Sequence, residues 1–303
     1  MTRQEAAVAR SAGDTWDIVT SVGFTALAVC AARALDAALR PPLANDAFAA
    51  GFVAAAGEPN LIAAVDNADM SSAAAFNAQW VGVRTRFFDE FFADAGRAGT
   101  PQAVILAAGL DSRAYRLKWP AGHTLFEVDQ PRVLEFKQEV LDRQGATPST
   151  RRVTVATDLR DDWAGALVAA GFDPGRPTAW ALEGLLPYLP GAAQDALFDK
   201  LHDLSAVGSH LAAELGPAPG EVQEFADNVP TISQDTGQPP VAELWYDDPR
   251  TDTKDFLAQR GWQVTGADLV ARAATAYGRP FQELPAVFDR LMRTKFFTAV
   301  RQG

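Results

Sequence analysis

Apolar positions along this chain change period near residue 100. Before that point they fall at helical spacing. Ile18, Val22, Leu27, Cys30, Ala34 and Ala38 share one stripe across residues 16–40, and Pro41-Pro42 ends it. Residues 45–98 read as Ala- and Phe-rich helices that close with Trp80, Val83, Phe87 and Phe91 on one face. Residues 1–15 carry no stripe and are expected to fray.

From residue 103 short apolar runs alternate with amphipathic stretches. Strands are predicted at 103–107, 124–128, Arg152–Ala156, Thr178–Leu182 and Ser209–Leu215. Helices are predicted between them. One starts at Pro131 and buries Val133, Leu134, Val140 and Leu141; one runs through Trp163 and Leu167 to a cap at Gly171; one carries Ala193, Leu197, Leu201 and Leu204. Repeated β-then-α order implies a parallel sheet with right-handed crossovers. Residues 216–250, rich in Pro, Gly, Asp and Gln, break the pattern and read as a cap over a site. A helix over 252–260, a strand over Trp262–Thr265 and a last strand over residues 295–300 complete the chain, the final strand entering by a hairpin. The expected fold is α/β and Rossmann-like, with an N-terminal helical layer over 1–98 and a core over 99–303.

Composition narrows the function. The 303 residues suit one large α/β unit with a cover. A net charge of −11 offers no dense basic face, so nucleic acid is not an expected partner. The single cysteine, Cys30, excludes an internal disulfide and a cysteine-based zinc site, and the three histidines show no ligand spacing. No metal is expected. The longest uncharged run, Ile18 to Ala32, is too short for a membrane span and reads as a buried helix; no basic leader precedes it, and a cytoplasmic location is expected.

The chemistry lies at the strand ends, where open parallel sheets bind ligands. Strand one ends in Ala107-Ala108-Gly109, strand two in Asp129, strand three runs into Asp158-Leu159, and strand four ends in Glu183-Gly184. Each has a bland reading: a common turn, a helix cap at Asp129 or Asp158, a surface carboxylate at Glu183. Four such endings in succession point instead to a nucleoside cofactor. A nicotinamide dinucleotide wants a G-x-G-x-x-G turn, yet this turn holds one of the three glycines and places Asp111 where a diphosphate would lie. S-adenosylmethionine carries a sulfonium and no phosphate. It needs an acid for its ribose, which Asp129 offers, a polar side chain and an amide for adenine, which Asp158 and Leu159 offer, and a base for its carboxylate, which Arg84 offers. No Tyr-x-x-x-Lys pair or G-x-S-x-G elbow is present. Two lesser readings are an NAD(P)-linked oxidoreductase and a cofactor-binding protein of this fold that has lost catalysis.

The segments VRTRFFDEF (83–91), ILAAGLDSRAYRL (105–117), FEVDQPRVLEFK (126–137), TDLRDDW (157–163) and WALEGLLPYL (180–189) carry a resemblance. With them the chain resembles the leucine carboxyl methyltransferase family, in its actinobacterial branch of S-adenosylmethionine-dependent methyltransferases. The resemblance implies a class I methyltransferase fold with a seven-stranded sheet. It implies Arg84 at the cofactor carboxylate, Gly109 beside the methionine moiety, Asp129 on the ribose, Asp158 and Leu159 on the adenine, and Glu183 near the transferred methyl. Family members often carry Gly where this chain has Ala107. Asp111 and Arg113 fit the family pattern, with an ion pair as one reading. The expected reaction is O-methylation of a carboxylate or acidic hydroxyl, on a small molecule or chain terminus, in an apolar pocket built from residues 16–50 and the cap.

Overall fold

The structure is a computed structural model, and it describes residues 21–68, 72–216, 219–222, 244–281 and 295–303. The expectations for residues 1–15 and for most of the 216–250 cap lie outside the described residues.

Seven strands form one sheet in the order β3-β2-β1-β4-β5-β7-β6. They are β1 (Gln102–Leu106), β2 (Thr124–Asp129), β3 (Arg151–Ala156), β4 (Thr178–Leu182), β5 (His210–Leu215), β6 (Trp262–Leu269) and β7 (Lys295–Arg301). The first five run parallel. The expected mostly parallel seven-stranded sheet is therefore present. β7 pairs antiparallel with both β5 and β6, so the last strand inserts between its neighbours. The sequence placed the end of β6 at Thr265, but the strand runs on to Leu269 past a bulge between Val264 and Gly266. Gly266 weakens the period-two pattern there, which hides the continuation.

The central strands β1 and β4 are buried along their whole length. Strands covered on both faces read as unbroken apolar runs, which is why these two were legible. One face packs Val104, Leu106, Phe126, Trp180 and Leu182 against Trp163, Leu167, Leu197, Phe198 and Leu201. These last residues come from α7 (Trp163–Ala169) and α8 (Gly191–Asp203). The other face packs Ala103, Ile105, Ala179 and Ala181 against Phe88, Phe91 and Phe92 of α4 (Ser72–Arg97). Small strand residues here make room for the phenylalanines of the helix.

Three further helices precede α4: α1 (Ser21–Asp36), α2 (Ala49–Ala56) and α3 (Pro59–Asp66). Phe24, Leu27, Cys30 and Ala31 of α1 pack on Phe52, Val53 and Leu61, and on Leu110 of the core. The apolar run of α1 is thus a buried helix, and no helix among the described residues is long and apolar enough to cross a membrane. Buried Asp36 fixes the far end of α1: its Oδ2 accepts the amides of Leu43 and Ala44, each at 2.7 Å, and its Oδ1 pairs with Arg279 at 2.5 Å. The remaining elements are α5 (Arg113–Arg116), α6 (Pro131–Arg143), α9 (Thr253–Ala258) and α10 (Val270–Ala276).

Candidate functional site

A cavity of about 640 Å³ opens at the carboxyl ends of β1 to β4. That volume is ordinary for a small-molecule or cofactor site. Arg84, Ala107, Gly109, Asp129, Asp158, Leu159 and Glu183 all line it. Residues predicted one by one from the strand ends, and Arg84 of α4, are therefore brought together. Gly23, Thr25, Ala26, Val29 and Arg33 of α1 also line the cavity.

The β1 turn is built from two successive departures from ordinary backbone. Ala107 has φ +55° and Gly109 has φ +47°. Glycine adopts this region freely, while alanine pays for it. A Cβ on Gly109 would stand 3.5 Å from the Cβ of Ala26, so the turn sits close beneath α1. Three amides of the turn are committed. Ala108 N donates to Val128 O at 3.0 Å, Gly109 N to Asp129 Oδ2 at 2.5 Å, and Asp111 N to Ala108 O at 2.9 Å. A phosphate nest needs such amides free. The turn fits a cofactor without a phosphate.

Asp129 does not cap the helix that follows. Its Oδ1 accepts the amide of Gln130 at 2.6 Å, and Gln130 itself stands at the N-cap of α6 without a side-chain cap bond. Burial pushes the Asp129 carboxyl up, while the amides of Gly109 and Gln130 pull it down. Each oxygen spends one lone pair on an amide and keeps one for a ligand hydroxyl. Asp158 is not a cap either; Asp162 takes that place on α7 by accepting Gly165 N at 3.0 Å. Asp158 instead receives Arg160 at 2.7–2.9 Å and Gln130 Nε2 at 3.0 Å. Burial opposes its ionisation, but the bonds from Arg160 outweigh that and hold its carboxyl low.

Glu183 is no surface carboxylate. Its Oε1 accepts Arg84 Nε at 2.9 Å, and its Oε2 accepts Arg113 Nη1 at 2.8 Å. Burial pushes its carboxyl up; Arg113 and Arg84 together hold it below the ordinary range. Arg113, only 1 % exposed, also pairs with Asp111 and with Asp89 of α4, the latter at 2.7 Å. The Asp111–Arg113 ion pair is therefore present, and Asp111 also lines the cavity. It brings the Asp111 carboxyl down to about 2 against the opposing effect of burial. The sequence placed the acids Asp129, Asp158 and Glu183 at successive strand ends. The lining sets Asp111, Asp129, Asp158 and Glu183 beside Arg33, Arg84, Arg160 and Lys200, so charge is nearly balanced.

Arg84 has one edge to spare. Its Nε meets Glu183 and its Nη1 meets Glu214 Oε2 at 3.3 Å, while its Nη2 donates to no described residue. A buried guanidinium with an open nitrogen at a cavity wall suits a ligand carboxylate.

Sequence reasoning missed three contributors. Glu214 is the penultimate residue of β5 and would have emerged had the strand-end rule been carried one strand further. Arg33 lines the cavity from α1, pairs with Asp46 at 2.9 Å, and donates to Leu110 O at 2.8 Å; no local spacing marked it. Tyr188 lies in the segment that follows Glu183 and also lines the cavity, its ring edge-on to Trp245.

The leucine carboxyl methyltransferase family model matches residues 26–202. A relative from Mycobacteroides abscessus, assigned by name as an S-adenosyl-L-methionine-dependent methyltransferase, is 67% identical over 296 residues, covering 96% of this chain and 98% of its own. One from Rhodococcus jostii with the same assignment is 50% identical over 295 residues, covering 96% of this chain and all of its own. Among solved structures, a methyltransferase from Thermobifida fusca aligns with a TM-score of 0.49 at 18% identity, over 88% of this chain and 100% of its own. The chain belongs to the leucine carboxyl methyltransferase family and is an S-adenosylmethionine-dependent methyltransferase.

Proposed function

We propose that the enzyme methylates a carboxylate or acidic hydroxyl oxygen on a small molecule or chain terminus. The observation that carries this reading is the position of the histidines. His210 begins β5, His123 immediately precedes β2, and His202 lies in the last turn of α8. None lines the cavity. A phenol or alcohol acceptor needs a general base, most often histidine; a carboxylate is already an oxyanion and needs none.

In this reading Asp129 holds the ribose hydroxyls, Asp158 and the backbone of Leu159 hold the adenine edge, and the open edge of Arg84 holds the amino-acid carboxylate. Gly109 and Ala107 form the floor beneath the methionine chain. Glu183, ionised and tied to two arginines, lies towards the methyl end. S-adenosylmethionine supplies, when bound, a methyl group already activated on a sulfonium. The protein's own residues then have to align the acceptor oxygen and exclude water. The α1 residues Ala26 and Val29 cover one side of the cavity, and Leu185, Leu189 and Tyr246 supply apolar wall on another. These surfaces suit an apolar acceptor with a charged end.

The test is the chemical stability of the product. Purified enzyme is given methyl-labelled S-adenosylmethionine and a panel of apolar carboxylic acids, phenols and alcohols. A methyl ester releases labelled methanol in mild alkali and is the expected product. Alkali-stable label confined to phenols or alcohols would overturn the carboxylate reading.

A further inference from the structure

Glu214 does not line the cavity, yet it touches two residues that do, Arg84 and Gly184. Its Oε2 accepts Arg84 Nη1 at 3.3 Å and the amide of Gly184 at 2.9 Å. Gly184 sits at φ +60° and fixes how Glu183 leaves β4. Both bonds fall on one oxygen, and Oε1 makes no hydrogen bond with a described residue. Glu214 is nearly fully buried. Around it, α4 presents Arg84, the end of β4 presents Glu183, and β7 sets Phe296 opposite in register; Tyr188 of the β4–α8 connection lies within electrostatic range of the same arginine. Among the described side chains, then, Glu214 depends on Arg84 alone, and Arg84 also serves Glu183, which Arg113 holds from its other oxygen. A ligand carboxylate at the open edge of Arg84 would be the third on that arginine.

We infer that Glu214 is a positioning residue that shares Arg84 with the cofactor and takes up a proton from solvent, on Oε1, when the cofactor carboxylate arrives. Uptake leaves Oε2 accepting both of its present bonds and removes the negative charge of the one carboxylate that shares Arg84 with the ligand and has no second arginine. Burial, with the repulsion of Glu183 added, pushes this carboxyl up despite Arg84, which is the direction that uptake needs. The inference rests on the reading that Arg84 holds the cofactor carboxylate. Its consequence is that cofactor affinity rises as pH falls, by up to about tenfold per unit for a full proton.

The experiment is calorimetric titration of the full chain with S-adenosylhomocysteine, at matched pH in two buffers of different ionisation enthalpy. The wild type should take up a measurable fraction of a proton more than Glu214→Gln, and the affinity of the variant should be nearly flat with pH. The decarboxylated analogue of S-adenosylhomocysteine, which keeps the amine, should erase the excess uptake in the wild type. That arm needs no variant and decides the matter if Glu214→Gln fails to fold. Equal uptake by wild type and Glu214→Gln, or equal uptake with both probes, overturns the inference. Unchanged S-adenosylhomocysteine affinity in Arg84→Gln would instead overturn the underlying reading of Arg84.

Discussion

Gly109 donates its amide to Asp129 Oδ2 at 2.5 Å, joining the ends of two adjacent parallel strands. One bond thereby sets the acid that faces the ligand and removes an amide from any phosphate nest. Asp129→Ala withdraws the acceptor from both Gly109 and Gln130. Because water in the cavity can replace part of the loss, the cost without ligand is expected to be about 1–2 kcal/mol. Urea unfolding of the unliganded protein measures it.

Ala107 holds a left-handed backbone at φ +55°. An L-residue pays roughly 1–2 kcal/mol there, and glycine returns about 0.5–1 kcal/mol of that as lost freedom on folding. Ala107→Gly is therefore expected to stabilise the protein by about 0.5–1 kcal/mol. Ala107→Val should destabilise it by more than about 1 kcal/mol, since a β-branched residue is a stronger outlier in this region. Denaturant midpoints for the two variants should move in opposite directions.

Arg113 ties Asp89, Asp111 and Glu183 together at the back of the site. Removing it leaves three carboxylates in buried surroundings. Arg113→Ala is expected to cost at least about 3–5 kcal/mol. Arg113→Lys should recover only part of this, because a single ammonium cannot reproduce the planar fork. Thermal unfolding should rank wild type above Lys and Lys above Ala.

His123 stacks on Trp119 with ring centres 4.6 Å apart, and burial lowers its pKa to about 4. Its Nδ1 is buried without a hydrogen-bond partner. The folded state thus binds this proton less readily than the unfolded chain, whose histidine titrates near 6.5. The stabilisation is complete above pH 6.5 and is lost as pH falls from there towards 4, reaching about 2 kcal/mol at pH 5. His123→Phe keeps a stacking ring and removes the titration. Urea midpoints at pH 7 and pH 5 should fall further for the wild type than for the variant.

The sequence made the strand ends readable because each joins a covered apolar run to a small or acidic residue: Leu106 to Ala107, Val128 to Asp129, Leu182 to Glu183. Those junctions put Ala107, Asp129 and Glu183 on the cavity wall. What stayed hidden depends on partners far apart along the chain. Arg84 meets Glu214 across 130 positions, and Arg33 meets Leu110 O across 77. No local period marks such pairs. Asp158 is a local case instead: Asp162 caps α7, while the Asp158 carboxylate bonds Arg160, two residues on. The short helix α5 is held by the salt links of Arg113 and Arg116 to Asp89 rather than by an apolar stripe, and so left no periodic signal.

The measurement closest to the central claim is calorimetric titration of wild type and Asp129→Ala with S-adenosylmethionine and, separately, with NADH. The cavity at the ends of β1 to β4 predicts binding of S-adenosylmethionine alone to the wild type. It predicts an affinity at least about tenfold lower in Asp129→Ala, the loss of one or more hydrogen bonds to a charged group. Undiminished binding by a folded Asp129→Ala protein, or tight binding of NADH by the wild type, would contradict the assignment of the site.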